Sequence, residues 1–292
     1  MIKKIISGVV LYALFSLPLV ASEDRALFWR VDSAESTVYL LGSIHFADDS
    51  FYPLRKEIEQ AFELSETLVV EVDINAPESM ASFQRLMQEE GVYGGDETLR
   101  DHLSRKTYED LQGYLKELDV PLYLVEKQKP GIVVLTLAAI EAQRVGLNPE
   151  QGIDSYFLSR IKNNKKIVAL ETIDEQLRIF LDIEDADALL QDSLHSLEEL
   201  EEEMEILINA WKQGDEKAIY QLLFKDVVDG NAAIIDLYER LYFQRNIKMT
   251  GSIKNYLKQK GQYFVVVGGG HLVGDKGIVH LLKNAGYRIN RL

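Results

Sequence analysis

Apolar and polar positions fall along this chain in two rhythms. Short apolar runs at residues 27–31, 37–41, 68–72, 166–170, 263–267 and 287–290 predict strands, the first two joined by a polar turn at 32–36. Longer stretches carry helical spacing. One helix is predicted from Tyr52-Pro53-Leu54 to about Ser65, with Leu54, Ile58, Ala61 and Phe62 on its apolar stripe. Residues 77–126 read as amphipathic helix broken at 91–95 and at Pro121. Pro130-Gly131 opens an apolar helix through Arg144 that Gly146 ends, and 154–163 forms another. Thr172 and Glu175 have the spacing of a capping box, which starts a further helix. From 185 to 212, Leu190, Leu194, Leu197, Met204, Leu207 and Trp211 recur at threes and fours, predicting one long helix with a core-facing stripe. Gly214-Asp215 turns the chain, 232–258 is helical, and 277–284 is the last helix. Strands at both ends with helices crowded between them predict an α/β fold. Its central sheet is mixed or mainly parallel, flanked by helices, with a large helical middle insert.

The first residues depart from both rhythms. Lys3 and Lys4 precede an apolar run from Ile5 to Leu19, interrupted by Pro18, and Val20-Ala21-Ser22 is a small-residue exit. This predicts a secretory signal peptide at 1–21 and a periplasmic or secreted protein with no membrane span after cleavage. Residues 22–292 contain no Pro, Gly or Ser linker and no low-complexity segment, so a single domain is expected there. Its 47% hydrophobic content suffices for one large core, or one core plus a helical insert. The chain has 32 basic and 47 acidic residues, a net charge of −15, which argues against nucleic acid or an anionic membrane as partner. The acidic run 198–205 reads as a solvated helix face. With no cysteine there is no disulfide, no thiolate metal site and no cysteine nucleophile, so a metal could be held only by histidine and carboxylate.

Four polar residues share one position relative to the predicted strands. His45 follows 40–44 (LLGSI), Glu71 ends 69–71 (VVE), Glu171 ends 169–171 (ALE), and His271 follows 267–270 (VGGG). If those strands run parallel, all four side chains gather at the carboxyl edge of the sheet, where open α/β sheets bind ligands. A glycine shortly before each histidine permits a sharp turn and close approach. Singly, each residue has a plainer reading as a hydrogen-bonding histidine or a surface glutamate. Together they supply the ligand set of a zinc or manganese site, or an acid–base pair without metal. The glycines at 268–270 and Gly274 do not have dinucleotide-loop spacing, and too little chain follows for that fold.

Residues 41–54 (LGSIHFADDSFYPL) resemble the opening signature of the TraB/PrgY/GumN family, which includes Tiki-like and YbaP-type members. The blocks 69–73 (VVEVD), 152–158 (GIDSYFL), 170–176 (LETIDEQ), 244–246 (QRN) and 265–289, with its VGGGHLVGDKG stretch, resemble later family blocks in the same order. The resemblance covers nearly all of the chain after the signal segment and implies an erythromycin-esterase/ChaN-like (EreA/ChaN-like) fold. It carries site roles to His45, Glu71, Glu171 and His271, and further to Arg245 and Asn246. The Arg245 guanidinium would grip a substrate carboxylate or stabilise an oxyanion. Glu175 is explained by its capping box and Asp154 by its place near a helix start. His102, His195 and His280 are surface or packing residues.

Two function classes follow. In the first, the protein is an exported metal-dependent hydrolase acting on a peptide or protein substrate. His45, His271 and one glutamate, with Glu71 the chosen third ligand, would hold Mn, Co or Zn, and the other glutamate would act as base. The sequence leaves open which glutamate plays which part. In the second, the protein is a non-catalytic periplasmic binder of a peptide or a haem-like ligand.

Overall fold

The structure is a computed structural model and describes residues 24–161, 165–197, 199–229 and 232–292. The expected signal segment at 1–21 lies outside them. Among the described residues no helix is long and apolar enough to cross a membrane.

Each predicted run becomes a strand, with ends shifted by no more than two residues. They are β1 (Phe28–Asp32), β2 (Ser36–Ser43), β3 (Thr67–Val70), β4 (Lys166–Ala169), β5 (Gly261–Gly268) and β6 (Arg288–Arg291). They join in one mixed sheet of order β4-β3-β5-β2-β1-β6. The pairs β4–β3, β3–β5 and β5–β2 are parallel, with Ser43 opposite Gly268 and Val70 opposite both Val266 and Ala169. β1 runs antiparallel to both β2 and β6. The unbroken apolar run of β5 reflects its central position, since Phe264 to Val267 are buried with no solvated face.

The helix Lys56–Leu64 lays Ile58, Ala61 and Phe62 into this core beside Phe157 and Phe264. The middle of the chain builds a second apolar cluster of its own. The helices Arg105–Glu117, Pro130–Arg144 and Ala186–Leu197 meet there through Leu111, Leu115, Val133, Leu137, Leu190 and Leu194.

That second cluster explains one departure from expectation. The predicted long helix at 185–212 is two helices, Ala186–Leu197 and Leu200–Gln213. Leu190, Leu194 and Leu197 serve the insert's core, whereas Ala210 and Trp211 serve the sheet's core. A single apolar stripe thus feeds two cores from two helices. Trp211 then ties the second helix to the sheet, its indole N–H donating to the Gly42 carbonyl at 2.7 Å. The helical stretch predicted at 232–258 also changes character: a π-helical segment, Glu239–Phe243, runs directly into the helix Gln244–Tyr256. Such segments widen a helix locally and recur at functional sites.

Candidate functional site

Because β2, β3, β4 and β5 are parallel, the residues that follow them lie along one edge of the sheet. His45 lies two residues beyond β2 and Glu71 one beyond β3; Glu171 lies two beyond β4, and His271 sits in the short helix Gly269–Leu272. The expected gathering of these four therefore follows from the observed strand directions.

His45 is held from behind. Its Nδ1 meets Asp154 Oδ2 at 2.8 Å, and Ser43 Oγ donates to Asp154 Oδ1 at 3.1 Å. Asp154 reaches it because the helix Ile153–Ser159 docks on the loop after β2, with the Ile153 N–H donating to Ile44 O at 3.1 Å. Only glycine allows that approach at 152, since a Cβ there would fall 2.2 Å from the His45 carbonyl oxygen. The carboxylate fixes the proton on Nδ1 and leaves Nε2 facing the cleft. Asp154 does lie in the first turn of that helix, as read from the sequence, and its side chain in addition orients His45.

His271 is buried and held in the same way. Its Nδ1 lies 2.6 Å from Asn246 Oδ1, while Asn246 Nδ2 donates to Lys276 O at 2.9 Å. The Lys276 carbonyl needs a donor, so the Asn246 oxygen faces His271 and the imidazole carries its proton on Nδ1. His271 Nε2 is then left 3.6 Å from Glu71 Oε1.

Arg245 organises the two glutamates. Its Nη2 donates to Glu71 Oε2 at 2.6 Å and to Glu171 Oε2 at 2.7 Å, and its Nε lies 2.9 Å from Glu171 Oε1. Its Nη1 donates to the Leu241 carbonyl in the π segment at 2.7 Å. Gln176 Nε2 adds bonds to Glu71 Oε2 at 3.0 Å and Glu171 Oε2 at 3.3 Å. Every nitrogen of the guanidinium is therefore engaged inside the protein. Arg245, expected from the sequence to grip substrate, lies as a buried clamp on Glu71 and Glu171. Glu171, with both oxygens bonded by Arg245, is likewise not placed as a base. Glu71 keeps Oε1 toward the cleft, where it accepts the Gly268 N–H at 2.6 Å. Glu175 forms the capping box read from sequence, its Oε2 accepting the Thr172 N–H at 2.9 Å.

Gly268 is the point on which the cluster closes. A Cβ there would lie 3.3 Å from Glu71 Oε1, 3.5 Å from His45 Nε2 and 3.6 Å from His271 Cδ2. The missing side chain leaves a small space with those three groups around it. Their chemistry fits a divalent ion: two imidazoles with Nδ1 anchored by an oxygen acceptor and Nε2 directed inward, and one ionised carboxylate oxygen. His271 Nε2 and Glu71 Oε1 lie 3.6 Å apart, and with His45 they are the residues that would hold such an ion. Among the described residues no group of three or more His, Cys, Asp or Glu side chains stands close enough together, as placed, to hold a metal ion.

Charge is uneven across the cluster. The Asp154 carboxylate raises His45 from 6.5 to about 9, against the effect of desolvation. Burial pushes His271 down to about 4 despite the pull of Glu71. Burial alone would raise Glu71, but His271, His45, Arg245 and the Gly268 N–H together hold it at about 2. At neutral pH these side chains therefore stand as an ionised Glu71, a neutral His271 and a protonated His45. The His45 value should be read directly by imidazole NMR, titrating near 9 and moving toward 6.5 in Asp154→Asn. The folded value is raised, so the stability from this ion pair is fully present below about pH 6.5 and fades as pH rises through about 9. A His45 titration that Asp154→Asn leaves unchanged would contradict this assignment.

Fold and site together define an α/β protein with a clamped histidine–glutamate cluster at the carboxyl edge of its parallel strands. The chain belongs to the TraB/PrgY/gumN family, whose family model matches residues 27–291. It is 26% identical over 251 residues to the "Uncharacterized protein YbaP" of Escherichia coli (strain K12), covering 84% of this chain and 87% of that one. It is 24% identical over 309 residues to a "Metalloprotease TIKI homolog" of Nematostella vectensis, covering 86% of this chain and 64% of that one. A "Metalloprotease TIKI homolog" of Amphimedon queenslandica is 38% identical over 58 residues, 19% of this chain and 11% of that one. No solved structure matches.

Sequence reading missed Ser43, Asp154 and Gln176. A signal for each was present, since all three lie inside the blocks that carry the family resemblance.

Proposed function

We propose that the protein is an exported, metal-dependent hydrolase of peptides. The observation that carries this reading is the convergence of His45 Nε2, Glu71 Oε1 and His271 on the space left by the missing Gly268 side chain. These three residues would hold a divalent ion, manganese, cobalt or zinc. Such an ion, when bound, polarises the scissile carbonyl and lowers the pKa of water. The likeness to proteins named metalloprotease TIKI homologs supports the same reading.

The chain's own residues keep that site assembled. Arg245 and Gln176 hold the Glu71 carboxylate ionised and aimed, as a ligand must be. A group at about 2 is a poor proton acceptor at neutral pH, which favours Glu71 as ligand over Glu71 as base. Asn246 fixes the His271 tautomer, and burial keeps that imidazole neutral with its Nε2 lone pair available. His45 must shed its proton to become a ligand, so metal uptake should strengthen as pH rises.

One observation favours a second reading. A histidine backed by aspartate and raised to about 9 is also a proton donor at neutral pH, so His45 could work as an acid without metal. The purified protein should be screened by mass spectrometry against a peptide library with manganese, cobalt or zinc, and again after exhaustive chelation. Cleavage that needs the ion is expected. Full activity after chelation would move the site to the acid–base reading. Binding without cleavage under every condition would make the protein a periplasmic binder of a peptide or haem-like ligand.

A further inference from the structure

Two cavities meet at His45 and Glu71, and both are lined by these residues and Phe46. Their characters differ. The larger, about 510 Å³, has a mixed lining that includes Asn75, Glu150, Ser155 and Gln176. The smaller, about 280 Å³, runs under the helices that follow the insert and is walled by Met204, Leu207, Trp211, Ile219, Leu223 and Tyr242. Its remaining wall is the site itself, including Gly268 and His271.

The small cavity has the size and chemistry for one group. At about 280 Å³ it falls just short of the range of about 300–1,000 Å³ that encloses a drug-sized ligand. Its six named walls carry one polar atom among them beyond the Trp211 indole N–H, namely the Tyr242 hydroxyl, and that indole is already bonded to Gly42. Met204, Leu207 and Leu223 are only half-buried, so apolar surface stands uncovered beside the reacting groups. Covering such surface is favourable, whereas water gains few partners there. The larger cavity also presents Glu150, whose carboxylate disfavours an acidic side chain beside it.

We infer, on the peptide-hydrolase reading of this site, that the small cavity is a specificity pocket: it seats one large apolar side chain, such as leucine or phenylalanine, next to the scissile bond, while the adjoining chain lies in the larger cavity. Leu207 and Leu223 set the depth and width of the pocket.

The test varies one residue of a cleaved peptide among Leu, Phe, Gly and Asp, and compares kcat/KM. Leu or Phe on one side of the cut should exceed Gly and Asp by at least about 10-fold, the scale of selection in an apolar pocket. Leu207→Phe narrows the pocket and should lower the ratio of kcat/KM for the Phe peptide to that for the Gly peptide by about 10–200-fold. A second readout does not need turnover. The chain has two tryptophans, so Trp29→Phe leaves Trp211, in the pocket wall, as the sole indole reporter. Its emission should respond to the Leu and Phe peptides and not to the Gly peptide. Cleavage with no side-chain preference and no Trp211 response would overturn the pocket and leave the hydrolase reading standing. A side-chain-dependent Trp211 response with no cleavage would do the reverse. No cleavage and no response would overturn both.

Discussion

Arg245→Met is expected to destabilise the protein by about 3–5 kcal/mol, the scale for removing one member of a buried ion cluster. Arg245, Glu71 and Glu171 have side chains 10%, 7% and 5% exposed, so none of the three can turn to water for its charge. Methionine keeps much of the apolar bulk and removes the fork. Two carboxylates then face each other without a counterion, and one must take up a proton to remain buried. This gives the variant a pH signature. In the wild type the low pKa of Glu71 contributes stability that is present above about 4.5 and lost as pH falls through about 2. In Arg245→Met a carboxyl pKa rises above its unfolded value, so that variant should gain stability on mild acidification. Arg245→Lys should fall between, because an ammonium cannot span both glutamates in the plane that the guanidinium occupies. Chemical denaturation at pH 7 and pH 5 reads both effects. A loss under about 1 kcal/mol at pH 7, with no reversal in pH dependence, would mean that the clamp is not what keeps these carboxylates buried.

The sheet was legible because strand positions leave a strong local mark. A run such as 263–267 has no polar residue to give it a solvated face, and only a central strand accommodates that. The site was legible for a related reason: four polar residues stood at the same place relative to four strands, and parallel strands carry such residues to one edge. What the sequence did not reveal was who partners whom. Arg245 follows Glu71 by 174 residues and Glu171 by 74, and no periodicity connects positions that far apart. Its side chain could equally have met substrate, and only the fold brings both glutamates onto it. Asp154 was hidden by a sufficient local explanation, since an acidic residue in a first helical turn needs no further cause. Glu175, with the same kind of local explanation, is accounted for by it. The division into helices ending at Leu197 and starting at Leu200 was invisible because the apolar spacing continues from one to the other while the core it serves changes.

His45→Ala is expected to lower peptide hydrolysis by at least about 100-fold, whether the imidazole serves as metal ligand or as proton donor. The protein should otherwise tolerate this change well. The His45 side chain is 59% exposed, unlike that of His271 at 4%, so its loss opens no cavity in the core. Asp154 loses a partner but sits at the start of a helix and keeps the Ser43 hydroxyl. The variant thus separates site from scaffold more cleanly than any change at Glu71 or Arg245. The decisive measurement is kcat/KM for one cleaved peptide, wild type against His45→Ala, with the melting temperature of each recorded in the same buffer. A fall of about 100-fold or more, in a variant that loses the stability of the Asp154 ion pair but is still fully folded at the assay temperature, is the expected result. A variant that cuts the same peptide within a few-fold of the wild-type rate would contradict the claim that this histidine–glutamate cluster is where the chemistry occurs.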